Sequence, residues 1–234
     1  MEKGKTKKCV AIIPARGGSK TLPKKNIIDF CGRPLIFWTI EQARETKSID
    51  DVYVTTDDDA IADISQQFGA KVIKRPAELA TDTSSSEDAL VHAIDIIEKE
   101  YPVGLVVFLQ ATSPLRGRDD IEEAISHYLK ERADSLFSCS TVNDFFVWQK
   151  KADTRVSITY DYLSRKPRQK IDPFYLENGS IYIFTPQLIR KEHNRLGGKI
   201  AVYVMDSWKS IEVDNADDLE MCRYYFENKL LHQK

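Results

Sequence analysis

The 234-residue sequence predicts an α/β fold, in which a mostly parallel β-sheet carries helices on both faces. Segments typical of strands and of helices alternate up to about residue 141 with short connections, the pattern of a parallel sheet. The segment 104–109, GLVVFL, is continuously apolar, as a strand covered on both faces should be. The length suffices for one domain with a well-buried core and an appendage. We therefore expect a single domain over 1–234, with 143–178 as an inserted region.

The segment 9–26, CVAIIPARGGSKTLPKKN, begins as an apolar strand and ends as a glycine-rich, cationic loop. Gly17 and Gly18 lack a Cβ, so the backbone there can bend tightly and approach a ligand closely. A hydroxyl and four cations surround this bend: Ser19, Arg16, Lys20, Lys24 and Lys25. The alternatives are a polyphosphate-binding loop and a surface turn with solvated lysines. The position directly after the first strand favours the phosphate loop, although the spacing matches neither a dinucleotide fingerprint nor a P-loop.

Hydrophobic periodicity and turn residues predict the elements that follow. In order, these are a helix opened by Pro34, a strand over 51–55, a helix over 61–68, a strand over 70–74, a helix over 90–97, the strand over 104–109, a helix over 121–129 and a strand over 134–141. Proline suits a first helical turn because its missing N–H would be unpaired there anyway. The buried side of the helix over 121–129 is expected to comprise Ile121, Ala124, Ile125, Tyr128 and Leu129.

Polar residues predict the starts of two of these helices. The three acids at 57–59 lie between a strand and a helix, where they are expected to cap the helix. Ser84 and Glu87, three residues apart, form the pattern of a capping box for the next helix.

The alternation of strand and helix patterns is interrupted from 143 to 173, where short aromatic or β-branched segments are separated by charged residues. This pattern is typical of hairpins, and the insertion could form a lid or an interface. Beyond it we expect a strand over 177–184, a short helix from Pro186, a strand over 199–205, and a last strand running into a helix. The apolar face of that helix is expected to contain Leu219, Cys222, Phe226 and Leu230.

Composition excludes several classes of protein. The net charge of −2 points to neither nucleic acid nor an anionic membrane surface as the partner. The four cysteines, Cys9, Cys31, Cys139 and Cys222, have no Cys-x-x-Cys spacing and are expected to be reduced. The apolar run after the basic start is too short for a signal-peptide core, and no later run approaches the ~18 apolar residues of a membrane span. We expect a cytoplasmic protein.

Three polar segments follow predicted strands, at 16–26, 75–86 and 110–116. Ligands of open parallel sheets bind at the carboxyl ends of strands, so these segments are expected to converge on one cleft. Arg75 either reaches into that cleft or is a surface charge. The polar cluster after the most apolar strand has few purely structural uses and is expected at the site: Gln110, Thr112, Ser113 and Arg116.

Two further clusters suit anionic chemistry. Glu212 and Asp214 lie two apart near a predicted strand end, where both side chains face one way and could hold Mg²⁺; a helix cap is the alternative. A second polar and cationic group is either a substrate contact or a solvated hairpin: Arg165, Lys166, Arg168 and Gln169. No serine, cysteine or histidine suggests a nucleophilic triad. The catalytic strategies that remain are substrate positioning and charge neutralisation, which are the ones that phosphoryl and nucleotidyl transfer need.

Five motifs occur in the same order as in a known family: IPARGGSKTLPKKN, RPAELATDTSSS, LQATSPLR, YLENGSIYIF and IEVDNADDLE. Together they resemble the acylneuraminate cytidylyltransferases, or CMP-sialic acid synthetases, whose relatives also activate legionaminic and pseudaminic acids. The resemblance spans nearly the whole chain. It implies a three-layer, Rossmann-like α/β fold and a homodimer made through the insertion. It also implies Mg²⁺-dependent transfer of CMP from CTP to the anomeric hydroxyl of a nine-carbon 2-keto acid sugar, with release of pyrophosphate.

The resemblance also implies roles for individual residues. The nucleotide would contact Ala15, Arg16, Gly17, Ser19, Lys20, Lys25 and Asn26 on the triphosphate side, and Arg75 and Ser86 at the cytosine. The sugar would contact Gln110, Thr112, Ser113, Arg116, Arg165, Gln169, Tyr175 and Asn178. Asp214 and Glu212 would hold the metal, and the catalytic residues would be Arg16, Lys25 and Asp214.

Three residues depart from the family pattern. Thr21 stands where the family usually has Gly, which suggests a stiffer loop; Ala111 replaces a usual Pro; and Glu212 replaces a usual Asp. The alternatives are a CMP-Kdo synthetase or another sugar nucleotidyltransferase, and a catalytically silent nucleotide-binding protein. The loop cations and Asp214 argue against a silent protein. Which acid sugar is used depends on small differences in the pocket.

Overall fold

The computed structural model of the protein describes residues 7–81, 83–142, 146–170 and 172–231. Its strands are β1 (Lys8–Pro14), β2 (Asp29–Phe30), β3 (Arg33–Pro34), β4 (Asp51–Thr56), β5 (Lys71–Lys74), β6 (Val103–Leu109), β7 (Ser135–Val142), β8 (Trp148–Lys151), β9 (Thr154–Ser157), β10 (Phe174–Phe184) and β11 (Ile200–Val204). Its α-helices are α1 (Leu35–Glu45), α2 (Asp59–Gln67), α3 (Ser86–Ile97), α4 (Asp120–Glu131), α5 (Pro186–Glu192) and α6 (Ala216–Tyr225).

Seven strands form the main sheet, in the order β11-β7-β10-β6-β1-β4-β5. All neighbouring strands are parallel except that β10 runs antiparallel to both β6 and β7. The predicted mostly parallel sheet is therefore confirmed. Since β4 and β5 extend the sheet on one side of β1 and β6 lies on the other, the strand order reverses between β1 and β6. Open α/β sheets bind ligands at such a switch point, outside the carboxyl ends of the strands.

The two faces of the sheet are covered by different helices, because side chains along a strand alternate between its faces. In β1, Ala11 and Ile13 pack in a cluster with residues of α1, α2 and α4. Val10 and Ile12 pack in a second cluster with residues of α3 and α5. All four side chains are inaccessible to solvent. Burial on both faces explains why β1 and β6 are continuously apolar in sequence.

A third apolar cluster anchors the chain after β11. Val213 is fully buried against Phe30 and Leu115, together with Leu219 and Phe226 from the C-terminal helical region. The backbone N–H of Val213 also donates to the carbonyl of Thr112, at 2.8 Å. The segment that carries Glu212 and Asp214 is therefore fastened beside the loop that follows β6.

Local signals located most elements to within a few residues and mislocated one cap. The side chain of Asp58 accepts from the N–H of Ile61 at 2.9 Å, which confirms the predicted acidic cap of α2. The cap of α3 is Ser85, whose Oγ accepts from the N–H of Asp88, so the predicted box of Ser84 and Glu87 is wrong by one residue. The Oγ of Ser84 instead donates a hydrogen bond to the carbonyl of Glu78, in the preceding turn.

Two further expectations are corrected. Leu129 is 61 % exposed, because it lies about 90° around α4 from the centre of the stripe formed by the other four apolar residues. No strand forms over 210–214: a 3₁₀ turn at Ser207–Ser210 is followed by an extended segment without ladder partners among the described residues.

Part of the predicted insertion forms an antiparallel hairpin, in which β8 pairs with β9. Residues 143–145 and 171 of the insertion lie outside the described part of the chain. Within the described ranges, no helix combines the length and the apolar character needed to cross a bilayer.

Candidate active site

Three adjoining pockets open where the strand order reverses. The central pocket, about 390 Å³, lies between the ends of β1 and β6 and is lined by Arg16, Lys25, Gln110, Glu212 and Asp214, among others. The Arg75 pocket, about 310 Å³, shares Pro14, Arg16 and Ser86 with the central pocket. The Arg195 pocket, about 510 Å³, shares Gln110 and Glu212 with it. The three polar segments that were expected to converge do converge here.

The glycine-rich loop is held against the end of β4. The N–H of Gly17 donates to Oδ1 of Asp57 at 3.1 Å. A Cβ on Gly17 would lie 2.7 Å from Oδ2 of Asp58, so this close approach requires glycine, whereas a Cβ on Gly18 would meet nothing within 4 Å. Nδ2 of Asn26 donates to the carbonyl of Arg16 at 2.9 Å and closes the loop from its other end.

Thr21 does not obstruct this loop. Among the described residues, the left-handed position in the loop is Lys24, with φ of 54°, and Thr21 is not left-handed. The Oγ1 of Thr21 donates to the carbonyl of Asp214 at 2.7 Å, so the side chain ties the loop to the segment with the two carboxylates.

Lys25 and Asp214 join the two sides of the central pocket. Nζ of Lys25 lies 2.8 Å from Oδ1 of Asp214, and the Lys25 side chain is only 15 % exposed whereas that of Asp214 is 66 % exposed. Burial raises the pKa of Glu212, and the nearby charge of Asp214 raises it further, while Lys25 and a hydrogen bond with Thr112 oppose the rise. Two carboxylates that repel each other therefore face the loop cations.

The donor set fits a hard divalent cation. Mg²⁺ is usually held by one or two carboxylates together with waters and substrate phosphates, and Glu212 and Asp214 line one pocket beside two cations that suit phosphates. No group of three or more His, Cys, Asp and Glu side chains forms a metal cluster in the described part of the chain. A metal here would thus depend on the substrate for the rest of its ligands.

The Arg75 pocket has a rigid cationic wall. Arg75 is 7 % exposed, and its Nη2 donates to the carbonyl of Thr55 at 2.6 Å. Burial lowers the pKa of its guanidinium, an effect partly offset by Asp57. The same pocket is lined by Ser86, which begins α3, and by Arg16, which donates to the carbonyl of Thr81 at 3.3 Å.

The residues after β6 divide into pocket-facing and buried groups. Gln110 and Thr112 line the central pocket, and Ala111, the family departure, lines it as well. Ser113 is 1 % exposed and is absent from the lining of the three pockets. The Gln110 Oε1 and Ser113 Oγ atoms are buried without a hydrogen-bond partner among the described residues.

Arg116 lies beneath the site instead of in it. The side chain is 1 % exposed; its Nη1 donates to the carbonyl of Ser180 at 3.1 Å and to that of Gln110 at 3.3 Å. Its Nε donates to Oε1 of Gln42 at 2.9 Å, and Nη2 donates to Oγ1 of Thr39. Arg116 thus clamps the Gln110 loop to β10 and α1. Burial lowers the pKa of this guanidinium.

Asn178 also points away from the pockets. Its Oδ1 accepts from Oγ of Ser138 at 2.6 Å, and its Nδ2 donates to Sδ of Met205 at 3.4 Å. Its neighbour Gly179 lines the Arg195 pocket in the left-handed conformation, with φ of 66°.

Several of the remaining predicted residues lie outside the three pockets. Arg165 stacks 4.0 Å from the ring centroid of Phe146 and lines a different pocket, inside the insertion. Tyr175 is 50 % exposed, and neither it nor Gln169 lines the three pockets. Of the residues predicted to bind the nucleotide, Ser19 and Asn26 line the central pocket. Ala15, Gly17 and Lys20 do not line it, and Lys20 is exposed.

Sequence reasoning missed four residues around the Arg195 pocket. Phe108 and Tyr182 resemble core residues of strands, and Glu87 resembles an ordinary acid in a first helical turn. Arg195 lies in the connection between α5 and β11, and no local signal distinguishes it from a solvated charge. The contacts of these residues are visible only in three dimensions.

The fold and the pocket define an α/β domain that gathers cations and carboxylates at its switch point. The family model described as Cytidylyltransferase matches residues 10–231, and the chain belongs to this family. An N-acylneuraminate cytidylyltransferase of Oncorhynchus mykiss is 35% identical over 217 residues, which are 91% of this chain and 49% of that protein. A pseudaminic acid cytidylyltransferase of Campylobacter jejuni is 29% identical over 226 residues, 94% and 97% of the two chains.

The first of these relatives is about twice as long as the region matched, so the chain spans about half its length. Among solved structures, CMP:2-keto-3-deoxy-manno-octonic acid synthetase complexed with CTP superposes with a TM-score of 0.70 at 20% identity, covering 95% of this chain and all of the other. That likeness establishes the Rossmann-like fold.

Proposed function

We propose that this chain transfers CMP from CTP to the anomeric hydroxyl of a nine-carbon 2-keto acid sugar of the N-acylneuraminate, legionaminate or pseudaminate type, releasing pyrophosphate. The observation that carries the proposal is the meeting of Arg16 and Lys25 with Glu212 and Asp214 in the central pocket. Cations for a polyphosphate and oxygen ligands for a metal are both required at a nucleotidyl-transfer site. Membership of the cytidylyltransferase family and the names of the two relatives support this choice.

The nucleotide would lie across the central and Arg75 pockets. Arg16 borders both pockets, so its guanidinium can hold the phosphates while Arg75 and Ser86 face the base. Ser19, Lys20, Lys25 and Asn26 would complete the triphosphate contacts, with Ala15 and Gly17 shaping the loop. The amino end of α3, twelve residues long, adds a partial positive charge beside the phosphates.

Asp214 and Glu212 would hold Mg²⁺, with Asp214 as the more accessible ligand. When bound, the cation would neutralise negative charge that develops on the phosphates. Lys25 lies against Asp214 and can exchange this contact for a phosphate oxygen. We assign Arg16, Lys25 and Asp214 the catalytic roles, because the two cations would neutralise charge on the leaving pyrophosphate and Asp214 would hold the metal.

The sugar would enter through the Arg195 pocket, with Gln110 and Thr112 at the boundary with the nucleotide. In-line attack on the α-phosphorus needs the hydroxyl on the side opposite the leaving pyrophosphate, and the two pockets adjoin at Gln110 and Glu212. Arg116, Ser113 and Asn178 would act beneath this surface as positioning residues. Contacts of Arg165, Gln169 and Tyr175 with the sugar stay predictions, which a complex with the sugar would test.

We also propose that the chain is a homodimer joined through 143–178. Apolar side chains are exposed on this region, including Leu163 at 81 %, Ile158 at 57 % and Leu176 at 40 %. Sedimentation analysis should give twice the chain mass, 26.8 kDa, and Leu163→Glu should shift the equilibrium toward monomer. A monomeric wild type at micromolar concentration would contradict this proposal.

We place the protein in the cytoplasm, where the four free cysteines would stay reduced; cell fractionation tests this.

The deciding experiment is pyrophosphate release from CTP, with UTP and ATP as controls, in the presence of N-acetylneuraminate, legionaminate, pseudaminate or Kdo. Turnover that requires CTP, Mg²⁺ and a nine-carbon acid supports the proposal. Preference for Kdo would assign the chain to the eight-carbon alternative. Nucleotide binding without turnover with any acid would indicate a silent binding protein.

A further inference from the structure

The Arg195 pocket contains one cation among several acids. Its described lining includes the carboxylates of Glu87, Glu177 and Glu212 and a single guanidinium, that of Arg195. The phenol of Tyr182 donates a hydrogen bond to Oε1 of Glu177, so that acid already has a partner within the pocket. An acidic ligand entering this pocket would therefore find one site of opposite charge on the described lining.

The Arg195 guanidinium is held in place from two directions. Its Nε donates to Oε1 of Glu87 at 2.8 Å, and the two side chains are only 18 % and 20 % exposed. The guanidinium also lies over two rings, 4.8 Å from the centroid of Phe108 and 4.7 Å from that of Tyr182. These residues are direct partners across β6 and β10, and their rings stack at 5.2 Å. The two rings that support the guanidinium thus belong to the main sheet.

The far end of the same guanidinium is available. Among the described residues, neither Nη1 nor Nη2 of Arg195 makes a hydrogen bond, although the side chain is mostly buried. Two parallel N–H groups match the two oxygens of a carboxylate, and such bidentate pairs give both affinity and orientation. A stacked and pre-oriented guanidinium loses little conformational entropy when it binds.

We propose that Arg195 is a specificity-determining residue that binds the carboxylate of the acid sugar. Glu87 positions the guanidinium, and the Phe108–Tyr182 pair supports it from below. The assignment rests on the proposed function, since it names the group that selects the acceptor for the same site. It explains how a pocket with three carboxylates accepts an anionic substrate.

A purely structural role is the competing explanation. The Arg195–Glu87 pair joins the α5–β11 connection to α3, and its loss could loosen that junction. Arg190 offers a matched control, because it also joins α5 to α3, through Asp95 at 2.6 Å and Glu98 at 2.7 Å. Arg190 is not part of the Arg195 pocket lining. Arg190→Met therefore perturbs the same junction without touching the pocket.

The test compares each acceptor acid with its C1 carboxamide, which keeps the sugar and removes the charge. We expect Arg195→Met to raise the KM for the acid about 10- to 100-fold, the loss typical of a charged hydrogen-bonded pair. The ratio of kcat/KM for acid over amide should fall by a similar factor, while the KM for CTP changes less than about twofold. Arg195→Lys should recover part of the ratio, and Arg190→Met should keep it.

An unchanged acid-to-amide ratio in Arg195→Met would overturn the inference, even if overall activity fell, because a structural defect weakens both acceptors alike. Thermal unfolding of both methionine variants verifies that they are folded. Wild-type protein that gives no turnover with any acid would refute the proposed function and this assignment with it. Active wild type with an unaltered Arg195→Met ratio would refute the assignment alone.

Discussion

Gly179 offers a direct test of how the two pockets are joined. Its φ is 66°, and a Cβ at this position would lie 2.1 Å from Oε1 of Gln110 and 2.2 Å from Oε1 of Glu212. Ordinary contact begins near 3.4 Å, so in Gly179→Ala these oxygens must retreat by roughly 1.3 and 1.2 Å. Both side chains line the central pocket and the Arg195 pocket, where the proposed function places the nucleotide and the acceptor.

A displacement of about 1 Å at reacting groups can cost about 100-fold in rate. We therefore expect Gly179→Ala to lower kcat/KM for the acid sugar about 100-fold. The left-handed backbone adds a stability cost of about 1–2 kcal/mol for any residue with a Cβ. That cost alone is isolated by Gly32→Ala, because Gly32 has φ of 80° and its Cβ would meet nothing within 4 Å.

The assay is steady-state pyrophosphate release, with urea unfolding of each variant. Gly32→Ala should lose similar stability but keep its activity within about threefold. If Gly179→Ala kept wild-type kcat/KM, the oxygens of Gln110 and Glu212 would not be needed where they lie. If Gly32→Ala lost as much activity, backbone strain would explain both results.

Three further predictions follow from single contacts. Lys25→Ala and Asp214→Asn should each lower kcat by at least about 100-fold, and the double variant should lose less than the product of the two effects because the groups are 2.8 Å apart; strict additivity in the same kinetic assay would contradict their coupling. Arg116→Met should cost about 3 kcal/mol in urea unfolding and raise the KM for the acceptor, because it removes the buried guanidinium that joins the carbonyls of Gln110 and Ser180; unchanged values for both would exclude the clamp. Burial raises the pKa of Asp51, but hydrogen bonds from Lys71, Lys8 and Tyr101 outweigh it and lower that pKa to about 2. Ionised Asp51 therefore adds about 1–2 kcal/mol to the free energy of unfolding above pH 4, allowing for solvent screening, and this contribution is lost as the pH falls toward 2. Asp51→Asn should abolish that loss in unfolding measurements over this pH range, and an equally steep acid decline in the variant would refute the assignment.

The difference between prediction and structure is clearest for residues that neighbour each other along the chain. Gln110 and Arg116 were placed at the site together, yet Gln110 faces the pocket whereas Arg116 is buried under it. Glu212 and Asp214 do share a face as predicted, although no strand forms there, because Val213 between them is anchored in the core. The direction of each side chain depends on neighbours distant in sequence.

The sequence by itself determined the order and type of most elements, because burial on one or both faces imposes a periodicity that is visible locally. Its motifs also identified the cationic loop, and Glu212 and Asp214, as candidates for the site. Tertiary structure alone decided that Lys25 meets Asp214 across 189 residues of chain. It alone brought Arg195 to Glu87, which lies 108 residues away, over a ring pair from two strands. A charged residue in a loop gives the same sequence signal whether its side chain is solvated or lines a pocket, since only packing determines its surroundings.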